Sequence, residues 1–398
     1  MLLKRTLGDV CTVVNGGTPK TGVSEYWDGA NLWITPAEMG KRLNPYVGDS
    51  ERKITELGLR DSSARMLPPY SVILSSRAPI GHLVINTKPM ATNQGCKGLV
   101  PSAQLEHKFL YYYLSSIVDL LNELGSGATF KELSGGKLKE VGIPLPPLLE
   151  QQRIVGLLDE AFDGIATAKA NAEKNLQNAR ALFESHLQAV FTQRRDGWLV
   201  VALEKVTSIV NGFAFSSSDF SPSNTVNCIK ITNVGVGEFV EDTDSFLPTG
   251  FNSTYADVAV KTGDIVLALT RTIIADGLKV ATVPKAFDGA LLNQRVAAIR
   301  SKPECLHLPF LFAFLGTNLV SDYVRLHVNT LMQPNLSIKD LRSMPIPLPP
   351  IHDQVRITAD LLRLQAETQR LEAVYQQKLT ALDALKKSLL HQAFSGAL

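Results

Sequence analysis

Apolar residues recur at steps of three and four over two stretches of about forty residues each, 151–191 and 354–394. Both stretches are rich in alanine, leucine, glutamine, glutamate and lysine, which favour helices, and contain almost no glycine or proline. This spacing predicts two helices, each about 60 Å long, with a single apolar seam. The predicted seam positions are Ile154, Leu158, Ala161, Ile165, Ala168, Ala172, Leu176, Ala179, Phe183, Leu187 and Val190 in the first helix, and Ile357, Leu361, Leu364, Leu371, Tyr375, Leu379, Leu382, Leu385, Leu389 and Ala393 in the second, where polar Thr368 fills a gap.

The helical stretches belong to a duplication that covers the whole chain. The segment 138–147 is repeated 203 residues later as 341–350, and both copies contain Ile-Pro-Leu-Pro-Pro. The pair Asn93-Gln94 returns as Asn293-Gln294. A period of about 200 residues is too long for a solenoid, so the sequence indicates a duplicated domain pair. Further matches are 7–16 with 203–212, 109–114 with 310–315, and Phe191 with Phe394.

Each copy begins with about 145 residues of mixed character. Short apolar runs such as 71–74 and 264–267 alternate with glycine, proline, asparagine and aspartate, which predicts strands and turns. An amphipathic helix is expected near the end of each part, around 107–123 and 308–326. We therefore predict an α/β (α+β) fold with four segments: a domain at 1–147, a helix at 148–195, a second domain at 196–350 and a second helix at 351–398.

A long apolar seam needs a partner, and the chain supplies one in its other copy. Antiparallel pairing of the two helices would place the domains at opposite ends, related by a pseudo-two-fold axis. The alternative is that each helix folds back on its own domain. Since the seam is narrow and rich in alanine, we favour an antiparallel coiled coil between the helices.

Composition narrows the class of protein. Of 398 residues, 45% are hydrophobic and 20% are charged, which is an ordinary globular balance. A net charge of +2, with no strongly basic segment, neither indicates nor excludes nucleic-acid binding. Four cysteines without a C-x-x-C pair argue against disulfides and zinc, and no apolar run reaches the roughly 18 residues of a membrane span. Since the start is also too short for a signal peptide, we expect a cytoplasmic protein without a membrane segment.

A search for catalytic motifs yields near-misses. Gly135-Gly136-Lys137 is followed by leucine, so it lacks the hydroxyl of a phosphate-binding loop. Leu67-Pro68-Pro69-Tyr70 resembles the substrate loop of amino-methyltransferases but lacks its polar first residue, and Asn44-Pro45-Tyr46 lacks the second proline. No proline is followed by aspartate, as a common nuclease motif requires, and the seven histidines are scattered. We predict no catalytic residue, no metal ligand and no cofactor bound by this chain.

Two diverged domains on a helical spacer suit the recognition of two features at a fixed distance, which duplex DNA offers. A family resemblance rests on the following residues: Ile143-Pro-Leu-Pro-Pro147, Ile346-Pro-Leu-Pro-Pro350, Glu150-Gln-Gln-Arg-Ile154, Asp353-Gln-Val-Arg-Ile357, Asn15-Gly-Gly-Thr-Pro19, Ser75-Ser-Arg-Ala-Pro-Ile-Gly81, Phe191 and Phe394. In these residues, and over its whole length, the chain resembles the specificity subunit of type I restriction–modification systems. The second copy departs from the pattern at Asn211-Gly-Phe-Ala-Phe215 and Thr270-Arg271-Thr272, which fits a domain that reads a different sequence.

The resemblance implies two target recognition domains in tandem, each similar to the recognition domain of an adenine methyltransferase, with paired conserved helices between them. It implies a non-catalytic subunit that binds double-stranded DNA and reads a bipartite, asymmetric target, one half-site per domain. The implied partners are two methylation (M) subunits and restriction (R) subunits. S-adenosylmethionine, ATP and Mg would be used by those partners.

Positions that both domains share cannot explain two different half-sites. Asn93-Gln94, Asn293-Gln294 and the pair Arg77 and Arg271 are therefore expected to hold a loop or to contact phosphate, with a structural ion pair as the alternative for the arginines. Residues that read bases are therefore expected where the two copies differ. Among them, Arg and Lys would recognise guanine edges and Asn an adenine edge; the alternative is that these are solvated surface residues. The candidate DNA-binding residues are Thr18, Lys20, Lys41, Arg42, Arg60, Arg65, Arg77, Ser216, Ser217, Ser218, Lys230, Asn233, Arg271 and Lys279.

Gln151, Arg153, Gln354 and Arg356 recur at both helix starts, which suits the binding of two copies of one partner; capping of the helix starts is the alternative. Two other functions stay open. One is a stand-alone adenine DNA methyltransferase with built-in recognition domains, which would need a cofactor loop and a complete Asn/Asp-Pro-Pro-aromatic motif. The other is a coiled-coil scaffold that binds only protein.

Overall fold

The computed structural model describes residues 4–42, 44–127, 131–193, 197–241, 244–274, 277–328 and 335–397. The chain divides into two compact units: a first unit of Met1–Glu173 with Gln376–Leu398, and a second unit of Lys174–Tyr375. Each unit therefore contains one mixed domain and a part of both long helices. The four predicted segments stay a prediction, and their junction between residues 195 and 196 lies outside the described residues.

The first unit contains one domain built mainly on a sheet in which β2, β9, β6, β7 and β4 follow one another. Strands β5, β3 and β8 form a second sheet. The strands are β1 (Lys4–Thr6), β2 (Cys11–Asn15), β3 (Trp27–Ile34), β4 (Tyr46–Val47), β5 (Arg52–Ile54), β6 (Val72–Ser76), β7 (Ile80–Asn86), β8 (Ala91–Thr92), β9 (Cys96–Pro101) and β10 (Gly142–Pro144). The helices are α1 (Leu7–Val10), α2 (Pro36–Met39), α3 (Glu56–Arg60), α4 (His107–Ser116), α5 (Val118–Leu124), α6 (Gly135–Glu140) and the long helix α7 (Leu148–Thr192).

The second unit repeats this order, since β12, β19, β14 and β17 follow one another as β2, β9, β6 and β7 do. Its strands are β11 (Leu199–Ala202), β12 (Thr207–Asn211), β13 (Cys228–Ile229), β14 (Ile265–Ala268), β15 (Ile273–Ile274), β16 (Gly277–Leu278), β17 (Val280–Thr282), β18 (Leu291–Leu292), β19 (Val296–Ser301) and β20 (Pro345–Leu348). Its helices are α8 (Leu203–Val206), α9 (Phe251–Thr254), α10 (Leu308–Leu315), α11 (Asn318–His327) and α12 (Ile338–Ser343), followed by the long helix α13 (Ile351–Ser395).

The central strands explain why each domain folds around its sheet. Every residue of β6 and of β14 is buried, because both strands are apolar runs flanked by antiparallel neighbours. Val72 pairs with Leu99, and Ile265 pairs with Ile299, so the strand register is repeated as well. The duplication seen in the sequence is therefore a duplication of topology.

The long helices bury the predicted seam almost throughout. All the seam positions predicted in α7 are buried or half-buried. In α13 the prediction is wrong at Leu371 and Leu385, which are 42% and 46% exposed. After the buried Thr368 the seam takes a step of four rather than three, so Glu372 lies at its edge and accepts a hydrogen bond from Arg180 Nε at 2.8 Å. The order of threes and fours is set by helix packing, and composition does not reveal it.

Within each unit the helices pair in opposite directions. In the first unit the start of α7 meets the end of α13, where Lys169 Nζ lies 2.8 Å from Asp383 Oδ1. In the second unit the end of α7 meets the start of α13 through Arg180 and Glu372. The antiparallel pairing is as predicted. The fold-back alternative also holds in part, because Ile154 belongs to the core of the first domain.

The ends of both helices complete the domain cores. Phe394, at the end of α13, packs in the first unit against Phe109 and Tyr113 of α4, with ring centroids 5.1 and 5.3 Å apart. Phe191, at the end of α7, packs in the second unit against Phe310 and Phe314 of α10. The predicted equivalence of Phe191 and Phe394 thus corresponds to equivalent packing.

Candidate nucleic-acid interface

The glycine loop that follows β2 is held against the backbone beside β8. Gly17 N–H donates to the Thr92 carbonyl at 2.8 Å, and Gly16 N–H donates to the Cys96 carbonyl at 3.1 Å. A Cβ on Gly16 would lie 1.9 Å from the Asn93 carbonyl oxygen, so no larger residue fits there without a backbone shift. This close approach fixes the course of the loop and carries Lys20 to the exposed surface.

The second unit holds its loop after β12 in the same way. A Cβ on Gly212 would lie 2.1 Å from the Asn293 carbonyl oxygen. Phe213 occupies the place of Gly17, since its N–H donates to the Leu292 carbonyl at 2.9 Å. Phe213 is 42% exposed, and the centroid of its ring lies 4.6 Å from that of the Tyr255 ring. The frame is shared, while the exposed side chains differ.

Asn93 and Asn293 serve this frame, as expected of shared positions. Asn93 Oδ1 accepts from Gly95 N–H at 2.7 Å, and its Nδ2 donates to Thr18 Oγ1 at 3.0 Å. Asn293 Oδ1 accepts from Arg295 N–H at 3.3 Å. The Thr18 hydroxyl also bonds to Gln94, which ties the predicted DNA-binding residue to the neighbouring loop.

Arg77 lies at the end of β6 in a small charged cluster. Its guanidinium is 3.7 Å from a Glu132 carboxylate oxygen, and Lys97 Nζ is 3.8 Å from the other oxygen of the same carboxylate. A Cβ on Gly95 would lie 3.2 Å from Arg77 Cγ and Nε, so the arginine side chain packs over that glycine. Arg77 thus reaches the Asn93 loop.

The predicted equivalence of Arg77 and Arg271 is wrong by one residue. The bridge between Arg77 and Glu132 corresponds to that between Thr270 and Asn335. Arg271 instead shares a left-handed backbone, φ +49°, with Ala78, at +51°. Strand register fixes this correspondence, and the short sequence windows around the arginines do not. Arg77 is therefore among the residues by which the two domains differ.

Sequence reasoning missed Arg295, the counterpart of Gly95. It is exposed in the loop beside Phe213. Each of the two equivalent loops therefore has an arginine at it, Arg77 from the end of β6 and Arg295 from the start of β19. Comparison of Asn-Gln-Gly with Asn-Gln-Arg would have found it. Arg52 was also missed: its guanidinium carbon lies 3.7 Å from the centre of the Trp27 ring, whose Nε1 donates to the Lys20 carbonyl at 3.3 Å. No motif marks that stacking, which depends on the pairing of β3 with β5.

The remaining candidates of the first unit form ion pairs or backbone bonds with their surroundings. Arg65 Nη1 donates to the Ala64 carbonyl at 2.8 Å, and Ala64 borders Gly17, so Arg65 lies close to the glycine loop. Arg42 pairs with the buried Glu38. The two other candidates form exposed ion pairs, Lys41 with Glu51 and Arg60 with Asp61.

In the second unit Lys230, Asn233 and Lys279 surround the segment that follows β13, and Arg271 lies near Lys279. Lys230 Nζ lies 4.3 Å from the centre of the Phe220 ring and donates to Ser245. Asn233 is buried, and its amide bonds to the backbone of Lys230 and Val240. Lys279 Nζ donates to the Ile231 carbonyl; burial and the nearby Arg271 charge lower its pKa.

Ser216, Ser217 and Ser218 lie apart from that group, in an exposed turn. The Ser216 side chain accepts a hydrogen bond from Ser218 N–H at 3.4 Å, and Ser216 N–H donates to Asp219 Oδ2 at 2.9 Å. The turn follows Phe215, which is buried against Phe251 and Tyr255. The three serines thus directly follow an aromatic cluster that packs against the second glycine loop.

The four residues predicted to bind a partner divide into two kinds. Gln151 is fully buried: its Oε1 accepts from Glu106 N–H, and its Nε2 donates to the carbonyls of Gln104 and Pro146, all at 2.9 Å. Gln354 makes the equivalent three bonds, to the backbone of His307, Cys305 and Pro349. The other two of the four, Arg153 and Arg356, are exposed, and the Arg153 guanidinium lowers the pKa of Glu150 by hydrogen bonding.

Within the described parts of the chain, no group of three or more His, Cys, Asp and Glu side chains is arranged to hold a metal ion. No described helix is both long and apolar enough to cross a membrane. The described cysteines are free thiols, and burial raises the pKa of Cys11, Cys96 and Cys228 to about 12.

Sequence comparison places the chain among known proteins. The family model described as the type I restriction modification DNA specificity domain matches residues 3–177 and 195–381. The specificity subunit of the type I restriction enzyme MjaVIII of Methanocaldococcus jannaschii is 29% identical over 98% of this chain and 91% of its own length. The MjaIX specificity subunit of that organism is 36% identical, but this match covers 46% of this chain and 42% of the relative.

Solved structures share the fold. The HsdS subunit from Thermoanaerobacter tengcongensis has a TM-score of 0.67 at 19% identity, covering 100% of this chain and 97% of that one. A chain from a structure on complex assembly and conformational transition of the type I R-M system has a TM-score of 0.74 at 19% identity, covering 100% and 98%. The predicted fold of two tandem mixed domains with long helices is confirmed. The family and the relatives' names are those of specificity subunits, as predicted, and not of catalytic subunits. The chain therefore belongs to the type I restriction–modification DNA specificity family.

Proposed function

We propose that this chain reads a split, asymmetric DNA target for a type I restriction–modification complex, one half-site per domain. The observation that supports the proposal is the pair of glycine loops. Both are fixed by the same backbone frame, yet one exposes Lys20 and the other exposes Phe213 and Ser216. A common frame with different exposed groups is what two readers of different sequences require.

The candidate contacts fall into two classes. Arg77 and Arg295 reach equivalent loops from different strand ends, so each is a reader of its own half-site, with guanine as the base that arginine prefers. Lys230 and Lys279 are partly committed to ring and backbone contacts, which suits phosphate binding and loop support. Asn93 and Asn293 hold the frame and carry no sequence information.

The proposed partners are two M subunits and the R subunits, with S-adenosylmethionine, ATP and Mg bound by those partners. Arg153 and Arg356 would contribute to M-subunit contact, since both are exposed at equivalent helix starts. Gln151 and Gln354 would act there indirectly, because each ties its helix start to its own domain.

A selection experiment tests the proposal. The full chain and an M subunit are incubated with a randomised duplex library, and the enriched motif is sequenced. Arg295→Ala is expected to relax or weaken one half of a split motif by about tenfold and to leave the other half unchanged. Lys174→Ala, which removes an exposed lysine of α7, is the matched control. An unsplit motif, or changes in both halves with Arg295→Ala, would contradict the proposal.

The two alternative functions give different results. A stand-alone methyltransferase would bind S-adenosylmethionine as the purified chain, whereas we expect no binding of the radiolabelled cofactor. A protein-only scaffold would retain no DNA even with an M subunit present. If unlabelled specific duplex displaced labelled DNA from the complex, the protein-only scaffold would be excluded.

A further inference from the structure

A cavity of about 830 Å³ lies in the second unit, between the end of α7, the start of α13 and helix α10. Its walls are mainly apolar, with Phe183 and Leu187 on α7, Leu361 on α13 and Phe312 on α10. The strand edge at Leu278 closes another side. The volume falls within the roughly 300–1,000 Å³ of small-molecule sites in proteins.

The duplication shows what fills the equivalent place in the first unit. The match of 109–114 with 310–315 pairs Tyr112 with Ala313, and the repeat of the long helices pairs Phe162 with Gln365. In the first unit the Tyr112 and Phe162 rings pack edge to face, with centroids 5.4 Å apart. Each of these two positions therefore carries a ring in the first unit and none in the second.

The positions that make polar contacts around these rings also differ between the two units. In the first unit the Tyr112 hydroxyl donates to Asp159, and Lys108 Nζ donates to the same carboxylate at 2.7 Å. The counterparts of Lys108 and Asp159 are Pro309 and Leu362, and both line the cavity. The second unit thus carries smaller or apolar residues where the first unit has this packed group, and the space between them is open.

We propose that this cavity binds a small aromatic molecule that carries a hydroxyl or amide group and occupies the place of the Tyr112 and Phe162 rings. Phe183 and Phe312 offer ring faces and edges for stacking. Within the described part of the chain the Gln365 side-chain amide has no hydrogen-bond partner, so it offers two N–H donors and a carbonyl acceptor to such a ligand. Glu184 on the cavity wall disfavours a ligand that is an acid.

Fluorine NMR of 4-fluorophenol, titrated into the full chain, tests the proposal. Saturable binding is expected for the wild type. Ala313→Tyr restores the first unit's residue and should weaken binding by more than about tenfold, because its phenol takes the ligand's volume. Ala181→Tyr, which adds the same side chain at an exposed position of α7, is the matched control and should leave binding unchanged.

Gln365→Phe fills the cavity from the opposite wall, and so tests the site independently of any misfolding of Ala313→Tyr. The proposal would be overturned if the wild type showed no saturable binding. It would also be overturned if Ala313→Tyr and Gln365→Phe both bound 4-fluorophenol as tightly as the wild type. Binding to the free chain that disappears in the complex with an M subunit would assign the cavity to a partner side chain and would also overturn it. The measurement involves no DNA, so its failure is distinct from failure of the proposed DNA reading.

Discussion

The buried glutamines at the helix starts allow a quantitative test of how each helix is attached to its domain. Gln151 joins the start of α7 to the backbone of Gln104 and Glu106 through two hydrogen bonds, and a third goes to the Pro146 carbonyl before the helix. All three are 2.9 Å long, and Gln151 has no exposed surface. Gln354 repeats the bridge at the start of α13. The perturbations are Gln151→Ala, Gln354→Ala and the double variant.

The cost follows from the backbone groups that lose their partner. Each variant removes the partner of one N–H and two carbonyl groups, and a buried group left unpaired costs about 1–3 kcal/mol. Since water reaches some of these groups, we expect a loss of about 3 kcal/mol in the free energy of unfolding, or roughly 10 °C in Tm for a unit of this size. The losses should add in the double variant, because the two sites lie in different units.

Thermal and urea unfolding of the full chain measure the loss, and hydrogen exchange locates it in α4 for Gln151→Ala and in α10 for Gln354→Ala. Gln152→Ala and Gln377→Ala are the matched controls, since both glutamines are exposed on the same helices. The controls should stay within about 0.5 kcal/mol of the wild type. Losses no larger than those of the controls would refute the reasoning.

Three further predictions concern the end of α13, the thiols and the spacer. Phe394→Ala should raise hydrogen exchange in β6 and β9, because its ring packs in the core of the first unit; unchanged exchange there would contradict that packing. Deletion of about seven residues from each long helix should shorten the gap in the target and leave both half-sites unchanged, whereas altered half-sites would exclude a spacer role. At about pH 8, Ellman's reagent should modify Cys305 first, because burial raises the pKa of Cys11, Cys96 and Cys228 to about 12. Equal rates at all four thiols would contradict this prediction.

The periodic parts of the fold could be predicted because helix spacing repeats without reference to a partner. The seam of α7 is correct at every position, and the antiparallel pairing follows from two seams in one chain. The error at Leu371 arises where the seam takes a step of four after Thr368, whereas Leu385 lies in a stretch, 383–388, in which every residue is exposed. The order of three- and four-residue steps along a seam depends on packing against the neighbouring helix, and the spacing within one helix does not reveal that packing.

The candidate site was predicted less completely, because sequence reveals charge but not neighbours. Glutamine is usually a surface residue, yet Gln151 and Gln354 are fully buried and hydrogen-bonded where each long helix meets its domain. Asn233 was expected to read a base, and its amide holds the backbone of its own loop. Arg52 belongs to no motif, and its position follows from stacking on Trp27. Arg295 follows the repeated Asn-Gln pair, but its equivalence to Gly95 gains meaning only from the strand register.

Single-molecule sequencing of DNA from cells that express this chain with an M subunit tests the central claim most directly. The account predicts methyladenine on both strands of a split motif whose two halves differ. A chain that ends near Gln193 should dimerise and convert the motif into a symmetric repeat of the first half. A continuous motif, or an asymmetric motif with the shortened chain, would contradict the claim that each domain reads one half of the target.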